Sequence, residues 1–334
     1  MKRILLLLGV FLLLAGVALG IGIADLRRFA RSPMAEAGGD QTVTLRPGLG
    51  FEGVLSRLEA AGVVTDPLRF RILARWHGLD RRIKAGEYRL SATMTPMGVL
   101  RDLTEGRVVL RRLTIPEGFT LDQIAQAVEA AGLASADEFR RWATDPEFVR
   151  VQGIPADTLE GYLFPDTYLF SGSITTREIV ETLLDRFRTV FEDAWRVRAE
   201  EMGWTVHEIV TLASIIERET GAPAERPRIA GVFHNRLRIG MRLQSDPTVI
   251  YGIADFDGNL TRKHLNTPTA YNTYQISGLP PGPIASPGRA SLEAALYPAD
   301  TPDLYFVSRG DGTHVFSTNL RDHNRAVRRF QLGQ

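Results

Sequence analysis

The longest run of apolar positions lies at the start of the chain, where Ile4 to Ala24 contains only apolar residues and glycine. As a helix this run would be about 30 Å long, which matches the hydrocarbon thickness of a bilayer. Its length favours a transmembrane anchor over residues 1–24, with a linker at 25–42. The small residues Ala18-Leu19-Gly20 leave a cleaved signal peptide as the alternative.

An internal repeat follows the linker. Residues 43–63 and 113–133 align without a gap, and both end their first helix with the sequence Glu-Ala-Ala-Gly. Each copy predicts an alternating strand, a turn containing glycine, two helices and a short aromatic strand. The second helices are expected at 67–77 and 136–144, and the closing strands at 86–90 and 160–165.

This strand–helix–helix–strand order resembles the LysM-like module of proteins that contact cell-wall glycan. The alternative is a duplicated packing unit that binds no ligand. Beyond the repeat, apolar spacing predicts one long helix over 174–198, helices at 229–237, 291–296 and 319–330, and a hairpin of strands 303–308 and 314–317.

The segment Thr205 to Thr220 predicts the central helix. Thr205 and Glu208 have the spacing of a capping box, and Gly221 is expected to end the helix in a left-handed conformation. On a helical wheel Glu217 lies within the apolar stripe, whereas Glu219 points about 200° away, towards solvent. Loss of hydration favours the neutral form of a carboxyl group, which makes Glu217 a candidate general acid. The alternative is a structural glutamate that extends to water or pairs with an arginine.

The segment 266–287 has no charged side chain and is dense in Pro, Gly, Asn, Thr and Tyr. It predicts a long ordered loop that forms one wall of a sugar-binding groove, because aromatic rings stack on sugar faces and amides bind hydroxyls. The alternative is an ordered loop that binds no ligand. Asp246 precedes a proline, which is more typical of a turn or helix cap than of a catalytic acid.

Composition narrows the chemistry further. The 334 residues carry a net charge of +1 without a long basic run, which argues against nucleic-acid binding. The chain has no cysteine, so thiol chemistry and cysteine-based metal sites are excluded. The six histidines form no metal-binding pattern, and neither a GxSxG nor a phosphate-loop motif is present. We expect no metal and no cofactor.

Several long blocks resemble the endolytic murein transglycosylase (YceG-like) family: LEGYLFPDTYLF, LASIIERET, VFHNRLRIGMRLQSDPTVIYG, LNTPTAYNTYQISGLPPGPIASPG and DLYFVSRGDGTHVFSTNLRDHN. The resemblance implies a single-pass inner-membrane enzyme with its body in the periplasm. It implies cleavage of nascent peptidoglycan strands beside the peptidoglycan synthases of elongation or division. The essential glutamate of the family would be Glu217.

A weaker resemblance links the C-terminal part to goose-type lysozyme-like lytic transglycosylases. It implies that Gln244, Tyr271 and Asn272 orient the sugar, and the adjacent Ser245, Thr273 and Tyr274 complete the predicted substrate-binding set. Glu217 would protonate the MurNAc–GlcNAc glycosidic oxygen, and the product would carry a 1,6-anhydroMurNAc end. The alternatives are a hydrolytic muramidase, with Asp246 or Glu219 as second carboxylate, and a glycan-binding scaffold without catalysis.

The expected fold is therefore α+β. It comprises the transmembrane helix, a LysM-like module at 43–112, and a mixed α/β lytic transglycosylase domain at 113–334. That domain would contain a second LysM-like repeat at 113–170 and a catalytic core at 174–334 with a lysozyme-like glutamate helix.

Overall fold

A computed structural model describes residues 2–332 and divides the chain into two compact units. The first unit contains the chain up to Arg111 together with Leu169–Ile174. The second contains Arg112–Tyr168 and the chain from Thr175 onward. The architecture is mixed α and β and begins with a long apolar helix, as predicted.

That helix, α1 (Lys2–Arg31), opens the first unit. In the described part of the chain it is the one helix long and apolar enough to cross a membrane. The large apolar side chains of Ile4 and of residues 6–21 are exposed, as a bilayer-spanning surface requires. Its last two turns differ, because Leu26 and Ala30 are each only 7% exposed and belong to the core of the first unit.

The rest of the first unit has the element order that the first repeat copy predicts. Strand β1 (Gln41–Leu45), helices α2 (Phe51–Ala60) and α3 (Pro67–Trp76) and strand β2 (Gly86–Leu90) precede helix α4 (Pro96–Glu105). The two strands pair antiparallel, with Val43 opposite Tyr88. Both of these side chains are buried in the core of the unit.

The second copy starts with β3 (Leu110–Thr114), α5 (Leu121–Ala130), α6 (Ala136–Ala143) and α7 (Pro146–Val151). The predicted strand at 160–165 is wrong: the strand that pairs with β3 is β4 (Thr167–Ser171). Residues 160–165 form turns because Gly161 adopts φ +82° and the Glu160 carboxylate binds the Leu121 N–H at the start of α5. Alternation of apolar side chains could not reveal this tertiary contact.

The remaining elements surround a central helix. They are α8 (Thr176–Val190), α9 (Asp193–Glu201), α10 (Val206–Glu219), a short 3₁₀ turn, α11 (Arg226–Arg238), α12 (Asp246–Tyr251), α13 (Arg262–Asn266), α14 (Arg289–Leu296), β5 (Tyr305–Ser308), β6 (His314–Ser317) and α15 (Leu320–Phe330). The predicted hairpin is confirmed, with β5 and β6 antiparallel. The single helix expected over 174–198 is wrong, because the chain leaves helical geometry at the buried Phe191, whose ring packs between Phe187 and Trp195.

Helix α10 is the central helix, since every residue from 209 to 216 is buried. It packs against α9, α11, α12 and α14, so it has no free polar face over these turns. The predicted Thr205–Glu208 capping box is confirmed. The predicted left-handed end at Gly221 is wrong, because Thr220 is extended; a Cβ on Gly221 would instead meet the Gly312 carbonyl oxygen at 2.5 Å.

We predict that Gly161→Ala destabilises the second unit by about 2–4 kcal/mol, combining a left-handed conformation with overpacking. A Cβ there would collide with the rigid Pro283 ring. Gly153→Ala is the matched control, because Gly153 has φ +72° but no neighbour within 4 Å, and should cost only about 1–2 kcal/mol. Urea unfolding measures both, and equal losses would contradict the packing argument.

Candidate active site

Two glutamates at the C-terminal end of α10 face different surroundings. Positions 217 and 219 are about 200° apart around a helix, so their side chains leave opposite sides. Because the preceding two turns of α10 are fully buried, the helix cannot rotate to exchange them. The segments packed against its end therefore decide what each carboxylate contacts.

Glu217 is held by two other segments. Its carboxylate accepts a hydrogen bond from the Gly288 N–H at 3.0 Å and forms a 3.2 Å ion pair with Arg226. The Glu217 side chain is 8% exposed, which confirms the predicted burial. Arg226 also lies 3.7 Å from Glu117, whose pKa is raised by burial and by the Glu217 charge. These contacts join the end of α10 to the starts of α11 and α14.

Glu219 lines a cavity of about 510 Å³, together with Arg236, Leu243, Gln244, Asp246, Tyr274, Tyr305, Phe306, Val307, Ser308, His314, Leu320, His323, Asn324, Val327 and Gln331. The expectation that Glu219 faces bulk solvent is wrong. The segment between α11 and α12 folds across the end of α10, and the β5–β6 hairpin and α15 complete the cavity. A helical wheel cannot show this cover, because all of it comes from later parts of the chain.

The pKa of the Glu219 carboxyl group lies close to neutral pH. Burial raises its pKa to about 7, against the opposing effect of a hydrogen bond from the Ser245 hydroxyl at 2.5 Å. The negative charge of Asp246 adds to the upward shift, while His314 and Arg236 oppose it. A carboxyl group with this pKa can donate a proton near pH 7 and accept one afterwards.

The groove wall beside Glu219 is held by buried polar contacts. Arg236 is 7% exposed and donates to the carbonyl oxygens of Leu243 and Leu304 at 2.6 and 2.7 Å. Gln244 has φ +51°, a left-handed conformation that is unusual for a residue other than glycine, and its N–H donates to the Thr273 carbonyl. Strained residues of this kind persist where surrounding contacts fix them, and they are frequent at functional sites.

A second carboxylate reaches the same cavity. Asp246 is the first residue of α12, which agrees with its predicted place at a helix start, and it also lines the cavity. Its carboxylate accepts a 2.7 Å hydrogen bond from the Tyr274 hydroxyl. Burial and this bond both raise the pKa of Tyr274, so the tyrosine stays protonated and remains a donor.

The predicted substrate-binding residues separate into three groups. Gln244 and Tyr274 line the cavity, and the buried Ser245 contacts Glu219 from behind it. Tyr271 does not line this cavity. Its ring packs against the Tyr251 ring instead, with the two ring centres 4.8 Å apart.

Asn272 and Thr273 form the third group, whose side chains are both 0% exposed and so are not part of the cavity surface. The Asn272 amide donates to three backbone carbonyls of residues 264–267 and accepts from the Tyr274 N–H. The Thr273 hydroxyl accepts from the Ser245 N–H at 2.9 Å. The uncharged loop 266–287 therefore supports the cavity wall through its buried residues and contributes Tyr274 to the cavity lining.

Sequence reasoning missed Arg236, Tyr305 and His314, all of which line the cavity. His314 is fixed by a 2.7 Å contact of its Nδ1 with Glu225, and Tyr305 lies beneath the Arg236 guanidinium. Arg236 belongs to a helix rich in basic residues, so no local pattern distinguishes it from its exposed neighbours. Arg236 lies in the family-like block VFHNRLRIGMRLQSDPTVIYG, but only the packing shows that Arg236 is the buried cation of this block.

Comparisons with known proteins agree with this architecture. The YceG-like family model matches residues 43–329. An endolytic murein transglycosylase of Bacillus subtilis is 31% identical over 303 residues, which cover 86% of this chain and 84% of the relative. A protein of the same description from Streptococcus pneumoniae is also 31% identical, and the match covers 86% of this chain and 57% of the longer relative.

A crystal structure of a yceG-like protein from Listeria monocytogenes superposes with a TM-score of 0.60 at 33% identity. The similarity covers 87% of this chain and all of that one. With the family model matching most of the chain and relatives aligned over nearly all of it, this chain belongs to the YceG-like family, which includes endolytic murein transglycosylases.

Proposed function

We propose that this chain is a membrane-anchored endolytic lytic transglycosylase of peptidoglycan, with Glu219 as its acid–base residue. The observation that carries the proposal is the Glu219 carboxyl group, which lines an open cavity and has a pKa raised to about 7. The named activity of the relatives supplies the substrate class. The resemblance implies Glu217 for this role, and Glu217 stays the second candidate for the acid. Both of its oxygens are engaged by protein groups, whereas one Glu219 oxygen is held by Ser245.

In the proposed reaction, protonated Glu219 donates its proton to the glycosidic oxygen between MurNAc and GlcNAc. The C1–O bond breaks, the GlcNAc hydroxyl leaves, and positive charge develops at the MurNAc anomeric carbon. The resulting Glu219 carboxylate then accepts the proton of the MurNAc C6 hydroxyl, whose oxygen bonds to the anomeric carbon. The product is a 1,6-anhydroMurNAc end, no water is consumed, and Glu219 is again protonated.

The surrounding residues have distinct roles in this proposal. Ser245 is a positioning residue, because its hydroxyl fixes one Glu219 oxygen while exposing no surface to substrate. The amide of Gln244 and the ring of Tyr274 line the cavity, where they offer hydrogen bonds and a stacking face to a sugar. Arg236 and His314 oppose the rise in the pKa of Glu219.

Hydrolysis is a second candidate reaction because of Asp246. Hydrolytic glycosidases use two carboxylates, and Asp246 shares the cavity with Glu219. Asp246 is, however, bound by the Tyr274 hydroxyl, which fixes its orientation and weakens it as a base or nucleophile. We therefore favour the internal C6 hydroxyl over water.

The other parts of the chain fit the same function. We propose that α1 anchors the protein in the inner membrane with the body in the periplasm, where nascent glycan and its synthases are found. The strand–helix–helix–strand elements of the two repeat copies would contact glycan as LysM-like modules. The anchor would keep the active site close to newly made strands, so that cleavage limits their length.

We predict that Glu219→Gln lowers the rate of strand cleavage by about 10²–10⁴-fold, the usual contribution of a positioned acid–base residue. Glu217→Gln is the matched control on the same helix. It should keep most activity but lose about 1–3 kcal/mol of stability, because the largely buried Arg226 loses the nearer of its two carboxylate partners. Release of fragments from uncrosslinked glycan strands measures the first effect and urea unfolding the second. If the Glu217→Gln variant is folded but inactive and the Glu219→Gln variant is active, the acid–base residue is Glu217 and not Glu219.

The alkaline side of the pH–rate profile should fall near pH 7, because the acid must be protonated and its pKa is about 7. Ser245→Ala should move this limb to higher pH. The serine hydrogen bond favours the charged form of Glu219, so removing it raises the pKa further. Cleavage rates at limiting substrate across pH 5–9 measure the shift. A limb that stays in place or moves to lower pH would contradict the assignment.

The products distinguish the two candidate reactions. We expect mass spectrometry of the released strands to find 1,6-anhydroMurNAc ends, with no incorporation of ¹⁸O when the reaction runs in labelled water. Reducing ends carrying ¹⁸O would identify a hydrolytic muramidase. Intact strands after incubation with folded protein would favour a scaffold that binds glycan without cleaving it.

A further inference from the structure

An exposed apolar stripe lies on α3 in the first unit. Leu68, Ile72 and Trp76 are 63%, 46% and 51% exposed, and their spacing of four residues places them on one face of the helix. Phe70, Leu73 and Ala74 form the buried side of the same helix. Contiguous exposed apolar side chains of this kind mark a surface that another partner covers.

The end of α1 fixes where this stripe lies along the anchor. The Arg69 side chain pairs with Asp25 at 3.3 Å and lies over the Phe29 ring. Asp25 is the first charged residue after the apolar run that ends at Ala24. Helix α3 is therefore held at the level where the apolar surface of α1 gives way to charge, which is the level of the head groups if α1 spans a bilayer.

Contacts between the two helices are confined to the last two turns of α1. Arg69 meets the α1 face that carries Asp25 and Phe29. Further along α3, Leu73, Trp76 and His77 line a cavity of about 320 Å³ with Leu26, Arg27, Ala30 and Arg31 of α1. Helix α3 therefore lies beside the charged end of α1 and not beside its exposed apolar part.

The rotation of α3 about its own axis then decides which side faces the bilayer. On a helical wheel the stripe is centred at about 40°, the contacts with α1 at about 120°, and Phe70 and Ala74 at about 200–240°. The stripe is therefore on the side of α3 opposite the core, where it is free to meet a membrane surface at the level of the charged end of α1.

We propose that Leu68, Ile72 and Trp76 insert into the surface of the bilayer and dock the first unit on it. The inference rests on the proposed anchoring by α1. Charge agrees with a lipid surface: residues 25–31 and 66–82 contain eight arginines and three aspartates. Arg27, Arg28 and Arg31 are exposed beside the stripe, where they can bind anionic head groups. Tryptophan is also enriched at this depth. Docking would fix the height and orientation of the first unit above the membrane.

Single-cysteine labelling tests the proposal directly, because the natural chain has no cysteine. The full chain would be placed in nanodiscs of phosphatidylcholine and phosphatidylglycerol, with an NBD fluorophore on one introduced cysteine and nitroxide-bearing lipids as quenchers. Leu68→Cys and Ile72→Cys report the stripe, and Phe11→Cys reports the anchor itself. Arg89→Cys is the exposed control, on β2 between the buried Tyr88 and Leu90.

We expect labels at positions 11, 68 and 72 to emit at shorter wavelength and to be quenched by lipid nitroxides, and the label at 89 to resemble one in water. The label at 72 should lose most of its quenching in a folded chain that also carries Leu68→Gln and Trp76→Gln. Quenching at 11 with none at 68 and 72 would overturn docking and leave the anchor standing. No quenching at 11 would overturn both. Blue-shifted labels at 68 and 72 without lipid quenching would mean that protein covers the stripe instead.

Discussion

Burial of α10 is the constraint on which the second unit depends. Residues 209–216 have no exposed face, so this helix is fixed in rotation and in register by every neighbour it contacts. Fixing the helix fixes where its last turn points. Glu217 and Glu219 leave that turn on opposite sides, and the fold gives one an ion pair and the other a cavity. The difference between two chemically identical side chains is thus a consequence of helix packing.

Polar groups behind the cavity hold the residues around Glu219 in place. Buried Thr273 and Arg236 hold the backbone of the 243–246 segment, which brings Ser245 onto Glu219. Each of these contacts satisfies a buried donor or acceptor, so losing one would leave another group unpaired at a cost of about 1–3 kcal/mol. The raised pKa of Glu219 depends on this support, because burial by the surrounding segments is its largest cause.

In the first unit the main constraint is the connection between the unit and its N-terminal helix α1. Its long apolar helix is not joined to it by a flexible tether: α1 continues without a break to Arg31 and buries Leu26 and Ala30 in the core of the unit. The predicted linker at 25–42 is therefore helical in its first seven residues, because apolar residues there pack on α3 and α4. A rigid connection fixes the orientation of the unit relative to α1, whereas a flexible linker would not.

The sequence by itself determined the elements whose signals are local: the apolar helix, the first repeat copy, the α10 capping box and the C-terminal hairpin. It also located the block that contains both glutamates, since long runs of family-like residues need no tertiary information. Only the tertiary structure decided that residues 160–165 form turns, that Asn272 faces inward, and which glutamate meets the cavity. Helical periodicity reports which side of a helix is apolar, but a carboxylate's surroundings come from segments distant in sequence. For Glu219 those segments are residues 242–246, the hairpin and α15, and no pattern within α10 could reveal them.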